Sequence, residues 1–287
     1  MAITSVEVKL LREKTGAGMM DCKRALEETG GDMEKAIDYL RKKGAATAEK
    51  RAGRQAHEGI VITRLINNGD TGVIVEVNCE TDFVARSDDF KNFAATVTSA
   101  IETNKPNSIE KLLTLPYQNG RDVAGALSDL IGKIGEKIEI HRFEVLNAKA
   151  SLIESYTHMG SKIGVLVEVA ANSNTPEHHT LARDIAMQIA AMNPSVVFRE
   201  EVKKETIEHE LEIYRQQAKN EGKPDQVVEK IANGRLEKYF QEVVLLEQSF
   251  IKDAAKTIKD VLQETSAKLN DTISIRRFKR YQLGDEK

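Results

Sequence analysis

The chain repeats itself, and this repeat restricts what it can fold into more than any other feature does. Gly72-Val73-Ile74-Val75-Glu76-Val77 returns 92 residues later as Gly164-Val165-Leu166-Val167-Glu168-Val169. At the same offset Phe93, Ala94 and Val97 fall on Ile185, Ala186 and Ile189, so the apolar stripe of a following helix is repeated as well. Ile138-Glu139-Ile140-His141-Arg142-Phe143 returns as Ile273-Ser274-Ile275-Arg276-Arg277-Phe278 at an offset of 135, so the second copy has gained 43 residues in between. Each copy reads strand, strand, helix, further helix, strand. The strands are β-branched, and the first two of each copy form a hairpin around Asn67-Asn68-Gly69-Asp70 or His158-Met159-Gly160-Ser161. The pattern predicts two related α+β subdomains with antiparallel sheets, at 55–147 and 148–287.

Ahead of the repeat, Ser5 to Gly44 reads as three short helices punctuated by glycine. Thr15-Gly16-Ala17-Gly18 breaks the first, and Met19, Cys22 and Leu26 recur at the spacing of one helical face in the second. Gly30-Gly31 ends the second helix, Asp32 caps the third, and Gly44 is expected to close it. Ala45 to Glu58 lacks apolar periodicity and reads as a linker or a weakly packed helix, giving an N-terminal three-helix domain with its linker at 1–54. The residues gained by the second copy have a character of their own. Ile207, Leu211, Tyr214 and Ala218 step 4, 3, 4 on a charged background, Gly222-Lys223-Pro224-Asp225 reverses the chain, and Val228, Ile231, Tyr239 and Val243 return. This predicts an inserted helical coiled-coil hairpin at about 199–243, followed by a C-terminal helix-strand module at 250–287.

Lys+Arg 42 against Asp+Glu 45 leaves a net charge of −3, so no chain-wide positive field draws the protein to nucleic acid or lipid. The longest apolar runs, such as Val243-Val244-Leu245-Leu246, fall far short of the roughly 20 residues of a membrane span. The start has no signal-peptide pattern, and only Cys22 and Cys79 are present, which points to the reducing cytoplasm. The phosphate-cradling patterns G-x-x-x-x-G-K-[ST] and G-x-G-x-x-G after a strand do not occur, nor do C-x-x-C or H-E-x-x-H. His178-His179 with Asp184 is a poor metal site, since adjacent histidines point to different sides of a helix; a solvated helix start is expected there. The cysteines lack a histidine partner and read as small buried hydrophobes. Basic residues cluster at Arg41, Lys42, Lys43, Lys50, Arg51 and Arg54, and at Arg276, Arg277, Lys279 and Arg280, without the aromatic interleaving of an RNA platform. They read as a solvated linker face and an amphipathic strand. No catalysis, cofactor, metal or specific nucleic acid is expected.

Most information lies in Glu76-Val77-Asn78-Cys79-Glu80-Thr81-Asp82-Phe83-Val84-Ala85-Arg86, a connection from a buried strand to the helix that Ser87-Asp88 would cap. Phe83 either plugs the local core or stands exposed. At the offset of 92, Thr81-Asp82-Phe83 falls on Ser173-Asn174-Thr175, so the second subdomain is expected to build the same turn without an aromatic. The fold itself then has no need of that ring, and an exposed phenylalanine beside a carboxylate reads as a wedge into another protein.

Two motifs resemble the bacterial translation elongation factor Ts family: Leu11-Arg12-Glu13-Lys14-Thr15-Gly16-Ala17-Gly18-Met19-Met20-Asp21-Cys22-Lys23-Arg24-Ala25-Leu26, and Glu76 to Arg86. The resemblance implies a guanine-nucleotide exchange factor, not an enzyme, whose partner is the GTPase elongation factor Tu and which binds no nucleotide itself. It implies a ubiquitin-associated-like N-terminal bundle, a duplicated core, a coiled-coil hairpin and a C-terminal module. It further implies that Thr81, Asp82, Phe83 and Val84 dislodge magnesium from the partner, that Arg12, Met19 and Met20 touch the partner's nucleotide-binding domain, and that His158 and Gly160 lie in a second contact region. An adaptor or ribosome-associated binding module is the competing expectation.

Overall fold

The computed structural model describes residues 3–118, 120–148 and 151–285. Helices α1 (Ser5–Thr15), α2 (Met19–Glu28) and α3 (Met33–Arg51) form the N-terminal bundle around Val8, Leu11, Cys22, Ala25, Leu26 and Ala36. Thr4 and Glu7 close a capping box on α1, Gly16 ends that helix at φ 68°, and the Asp32 side chain caps α3. Strands β1 (Glu58–Ile66) and β2 (Thr71–Cys79) make a hairpin turned by Asn67 and Asn68 in left-handed conformations. Helices α4 (Asp82–Arg86), α5 (Asp88–Asn104), α6 (Ile109–Leu113) and α7 (Val123–Ile134) follow. Then β3 (Ile138–Asn147) pairs antiparallel on the free side of β2.

The second half runs β4 (Leu152–Thr157), β5 (Ile163–Ala170), α8 (Pro176–Met192), α9 (Lys204–Asn220), α10 (Asp225–Val243), β6 (Ser249–Phe250), β7 (Asp253–Thr257), α11 (Ile258–Leu269) and β8 (Ser274–Gln282). Its sheet has the antiparallel order β4-β5-β8, matching β1-β2-β3. Alternation along the strands sends Val73, Val75 and Val77 towards Phe93, Ala94 and Val97, and Val165, Val167 and Val169 towards Ile185, Ala186 and Ile189. A register shift falls at Glu76/Val77 in one sheet and at Glu168/Val169 in the other.

The other faces of the two sheets pack on each other through Val61, Ile74, Leu146, Ile153, Leu166 and Tyr281. These are three repeat-related pairs, so the interface has an approximate two-fold relation within one chain. Gly72 and Gly164 let the sheets approach: a Cβ at Gly164 would stand 2.6 Å from Val61 Cγ1, and one at Gly72 would stand 2.9 Å from Ile153 Cγ2. Buried Glu76 accepts from Arg142 Nε at 2.7 Å, and that guanidinium also reaches the Gln282 carbonyl at 3.1 Å. Buried Glu168 accepts from Arg277 Nε at 2.6 Å, and that guanidinium reaches the Asn147 carbonyl at 3.2 Å. Each half thus secures the end of the other half's last strand.

Three expectations are corrected. Gly44 does not end the third helix, which continues to Arg51 with Gly44 buried in its middle. The reason is tertiary: a Cβ at Gly44 would meet the Ser128 carbonyl oxygen at 3.0 Å, and one at Gly132 would meet Gly44 Cα at 2.8 Å, so α3 and α7 cross backbone to backbone. The turn after β5 differs from the turn after β2. The first copy builds α4, which stops where Ser87 turns extended (φ −68°, ψ 147°), whereas the second runs straight into α8 at Pro176. His178 is buried, not solvated: its Nδ1 meets Thr175 Oγ1 at 2.9 Å and its Nε2 meets Asp271 Oδ2 at 3.2 Å.

Helices α9 and α10 form a hairpin, sealed by Ile207, Leu211 and Tyr214 against Leu236, Tyr239, Phe240 and Val243. The buried positions of α10 are Val228, Ala232, Leu236 and Phe240, with Ile231 only half-buried. A parallel bridge between Val196 and Val244 closes the hairpin's neck, and the next residues, Val197 and Leu245, lie in the second core. Among the described residues no helix is long and apolar enough to cross a membrane.

Candidate partner-binding surface

Phe83 lies on α4 with 83% of its surface exposed, while Phe90, one helix later, is fully buried. The core reading of Phe83 is therefore excluded by position. The five-residue helix that carries it is too short to stand alone and is held at its root. Thr81 caps it, its hydroxyl accepting from Val84 N at 3.4 Å. Thr81 itself donates to Glu136 from its backbone N at 3.1 Å and from its hydroxyl at 2.8 Å. Val84 is half-buried against the first core and Ala85 is buried, so the inner face of α4 is anchored while Phe83 points outward. Asp82 pairs with Arg86 one turn on, at 2.9 Å, in an exposed ion pair.

The residue before this turn is also fixed. Glu80 accepts from Lys137 N at 2.6 Å, Arg51 Nη1 at 2.9 Å and Arg54 Nη1 at 3.0 Å. Burial pushes the Glu80 carboxyl up, but the Lys137 N–H and the two guanidiniums outweigh it and pull the carboxyl down to about 2. The solvated face expected from the sequence holds for exposed Arg54 but not for half-buried Arg51, and both guanidiniums are bonded to the turn through Glu80. The second basic cluster is engaged too: Arg277 holds Glu168 at 2.6 Å, Lys279 holds Glu144 at 2.9 Å, and Arg280 is largely buried. Cys22 and Cys79 are free and buried, and burial first, with the Glu136 charge second, pushes the Cys79 thiol up to about 12.

His158 and Gly160 occupy the exposed tip of the β4–β5 hairpin, with Gly160 at φ 84° and Met159 between them 89% exposed. The His158 ring meets Tyr156 Oη through Nδ1 at 3.0 Å. This tip rests on β1: Val61 N donates to Ser161 O at 2.7 Å, and Lys162 Nζ to Glu58 Oε2 at 3.0 Å. Glu58 is the register partner of Cys79, two residues before Thr81, so the hairpin tip and the Phe83 turn lie at the same end of the first sheet. Arg12, Met19 and Met20 are exposed on the bundle, Met20 by 69%. Their α1–α2 turn touches the core where the Lys133 side chain, bonded to Asp89 at 2.7 Å, lies against Gly16.

Sequence reasoning missed Glu80 and Glu136, which set the turn, and Met159, the most exposed large apolar side chain of those described. The only sequence signal for the two glutamates is their place at a strand end and before a strand start. Among the described residues no group of three or more His, Cys, Asp or Glu is placed to hold a metal ion. The exposed apolar side chains thus include Phe83 on an anchored turn, Met159 on a hairpin tip at the same end of the first sheet, and Met19 and Met20 on the bundle.

Known proteins are similar to this chain over nearly its whole length. Residues 80–285 match the family described as Elongation factor TS. The elongation factor Ts of Chloroherpeton thalassium is 53% identical over 288 residues, spanning 99% of this chain and 99% of its own. That of Prosthecochloris aestuarii is 53% identical over 286 residues, with 98% and 99% covered. That of Clostridium perfringens strain SM101 is 46% identical over 283 residues, with 99% and 93% covered. The chain belongs to the elongation factor Ts family.

Proposed function

We propose that the chain is a guanine-nucleotide exchange factor that binds elongation factor Tu, dislodges its Mg²⁺ and so promotes GDP release during translation elongation in the cytoplasm. The observation that carries this reading is Phe83, exposed on a helix whose root is bonded to Glu136 and whose preceding residue, Glu80, is held by the Lys137 N–H. A flexible loop would lose ordering entropy on docking, and this turn has already lost it. In this reading the ubiquitin-associated-like bundle of 1–54 grips the GTPase's nucleotide-binding domain through Arg12, Met19 and Met20. The subdomain of 55–147 presents Thr81, Asp82, Phe83 and Val84. The subdomain of 148–287 supplies the second contact through His158 and Gly160, with the coiled-coil hairpin as a peripheral arm.

The physics is linkage rather than bond making. A GTPase holds GDP through phosphate contacts and a magnesium ion that offsets repulsion between the phosphates. Burying Phe83 between two helices of the GTPase supplies about 1.5–3 kcal/mol towards a conformation that coordinates the ion poorly. Asp82, freed from its exposed pairing with Arg86, hydrogen-bonds in that shifted state. Because coupling is reciprocal, a factor that weakens GDP is itself weakened by GDP, and either displaces the other through a ternary complex. Nucleotide and metal sit wholly on the partner, and this chain performs no chemistry of its own.

The test is rapid mixing of the chain with elongation factor Tu carrying fluorescent GDP. Acceleration of GDP release that saturates with chain concentration supports exchange. Binding without acceleration supports the non-catalytic adaptor or ribosome-associated module instead.

A further inference from the structure

Helix α3 belongs to two parts of the molecule at once. Its first turns, at Ala36, Ile37 and Leu40, lie in the core of the bundle. Its middle crosses α7 with Gly44 against Gly132, and Ala48 packs on the first core. Its end, with Arg54 just beyond it, is bonded to Glu80, the residue before Thr81. Beside the crossing a cleft of about 350 Å³ separates the bundle from α5 and α7, between Leu40 on one side and Phe93 and Leu130 on the other. The bundle therefore rests on the core along the α3–α7 line and at the Gly16–Lys133 contact. The course of α3 sets its angle.

We infer that α3 is a rigid strut that fixes the exposed methionines of the bundle relative to Phe83, and that Arg51 and Arg54 are positioning residues locking this strut to Glu80. The inference rests on the exchange reading for its consequence, but the strut itself is a statement about this chain alone. A helix of 19 residues is about 28 Å long, so a small tilt at its locked end moves the far bundle by several ångströms. Two contact sites held at a fixed separation act on one partner as a preorganised pair, while a loose tether dilutes the second site. Glu80 has a second role that survives loss of the arginines, because the Lys137 N–H still holds it and Glu136 still holds Thr81. Releasing the strut should thus weaken docking while leaving the Phe83 turn intact.

The experiment uses the full chain with Arg51→Ala/Arg54→Ala, the conservative Arg51→Lys/Arg54→Lys, and Gly44→Leu as an independent way of lifting α3 off α7. Spin labels at Glu28→Cys on the bundle and Lys91→Cys on α5 report their separation, since both positions are exposed and the native cysteines are buried. The parent should give a single narrow distance distribution, the alanine pair and Gly44→Leu a broadened or displaced one, and the lysine pair an intermediate one. In GDP release from elongation factor Tu, the alanine pair should raise the half-saturating concentration about tenfold with the saturating rate within about twofold of the parent. Distances unchanged in both the alanine pair and Gly44→Leu, or already broad in the parent, overturn the strut. Broadened distances with an unchanged half-saturating concentration overturn its positioning role. A parent that accelerates no release removes the exchange reading, and the distances still decide the strut.

Discussion

Gly164→Ala probes the contact that holds the two sheets together. Gly164 sits at the start of β5, next to the hairpin tip that carries His158 and Gly160. Its φ is not in the left-handed region, so alanine brings no backbone penalty there. The penalty is steric. The new methyl would stand 2.6 Å from Val61 Cγ1 and 3.0 Å from Thr63 Cγ2, against the 3.5–4.0 Å or so at which carbons rest. Both neighbours sit on a paired strand and cannot turn away freely, so the sheets must part by roughly an ångström. Overpacking of this kind costs about 1–3 kcal/mol. At roughly 2–4 °C per kcal/mol in chains of comparable size, the melting temperature should fall by several degrees. Gly53→Ala is the control, since nothing lies within 4 Å of its added Cβ, and it should change stability by less than about 0.5 kcal/mol. Val61→Ala should relieve the clash, so that Gly164→Ala costs at least about 0.5 kcal/mol less in that background than in the parent. Calorimetry and urea titration of the four chains give the cycle. A Gly164→Ala chain as stable as the parent, or a cost unchanged by Val61→Ala, would refute the close approach of the sheets at this point.

Further expectations concern other parts of the molecule. The folded Glu80 carboxyl lies at about 2, below its ordinary 4.5, so its contribution is present above pH 4.5 and is lost as pH falls towards 2; the urea midpoint of Glu80→Gln should lie below the parent's near pH 6 and converge on it across that window. Burial of Cys22 and Cys79, with Cys79 pushed up to about 12, predicts that a disulfide reagent at pH 8 modifies neither in the native chain and both after unfolding in guanidinium. Replacing 208–235 by a short Gly/Ser loop removes the outer hairpin but keeps Phe240 and the Val196–Val244 bridge, so calorimetry should still record a cooperative transition of the core.

The repeat was legible because it is written in local terms: β-branched strands, turn residues and an apolar helix stripe recur at fixed offsets, and the paired sheets follow them. The helical hairpin was legible for the same reason, though its return seam runs through Ala232, Leu236 and Phe240 more than through Ile231. What escaped depended on residues far away. Gly44 looks like a helix stop until Gly132 arrives across from it, and His178 looks solvated until Asp271, 93 residues on, closes over it. Arg51 and Arg54 look like free surface charge until Glu80 folds back onto them. Phe83 is the informative intermediate case. Comparing the two copies suggested exposure although the turns proved different in shape, because what mattered was that one copy does without the ring.

The measurement that bears most directly on the account is stopped-flow GDP release from elongation factor Tu by Phe83→Ala, paired with calorimetric melting of the free chain. An exposed ring that acts only in the complex predicts a melting temperature unchanged within the equivalent of about 0.5 kcal/mol, and release slowed by roughly 10- to 150-fold, the kinetic equivalent of about 1.5–3 kcal/mol. The deficit should shrink when magnesium is chelated, since the ion is then already gone. Phe90→Ala, at a fully buried ring, should instead lose about 3–5 kcal/mol of stability. If Phe83→Ala melts like Phe90→Ala and releases GDP at the parent's rate per folded molecule, the wedge is contradicted.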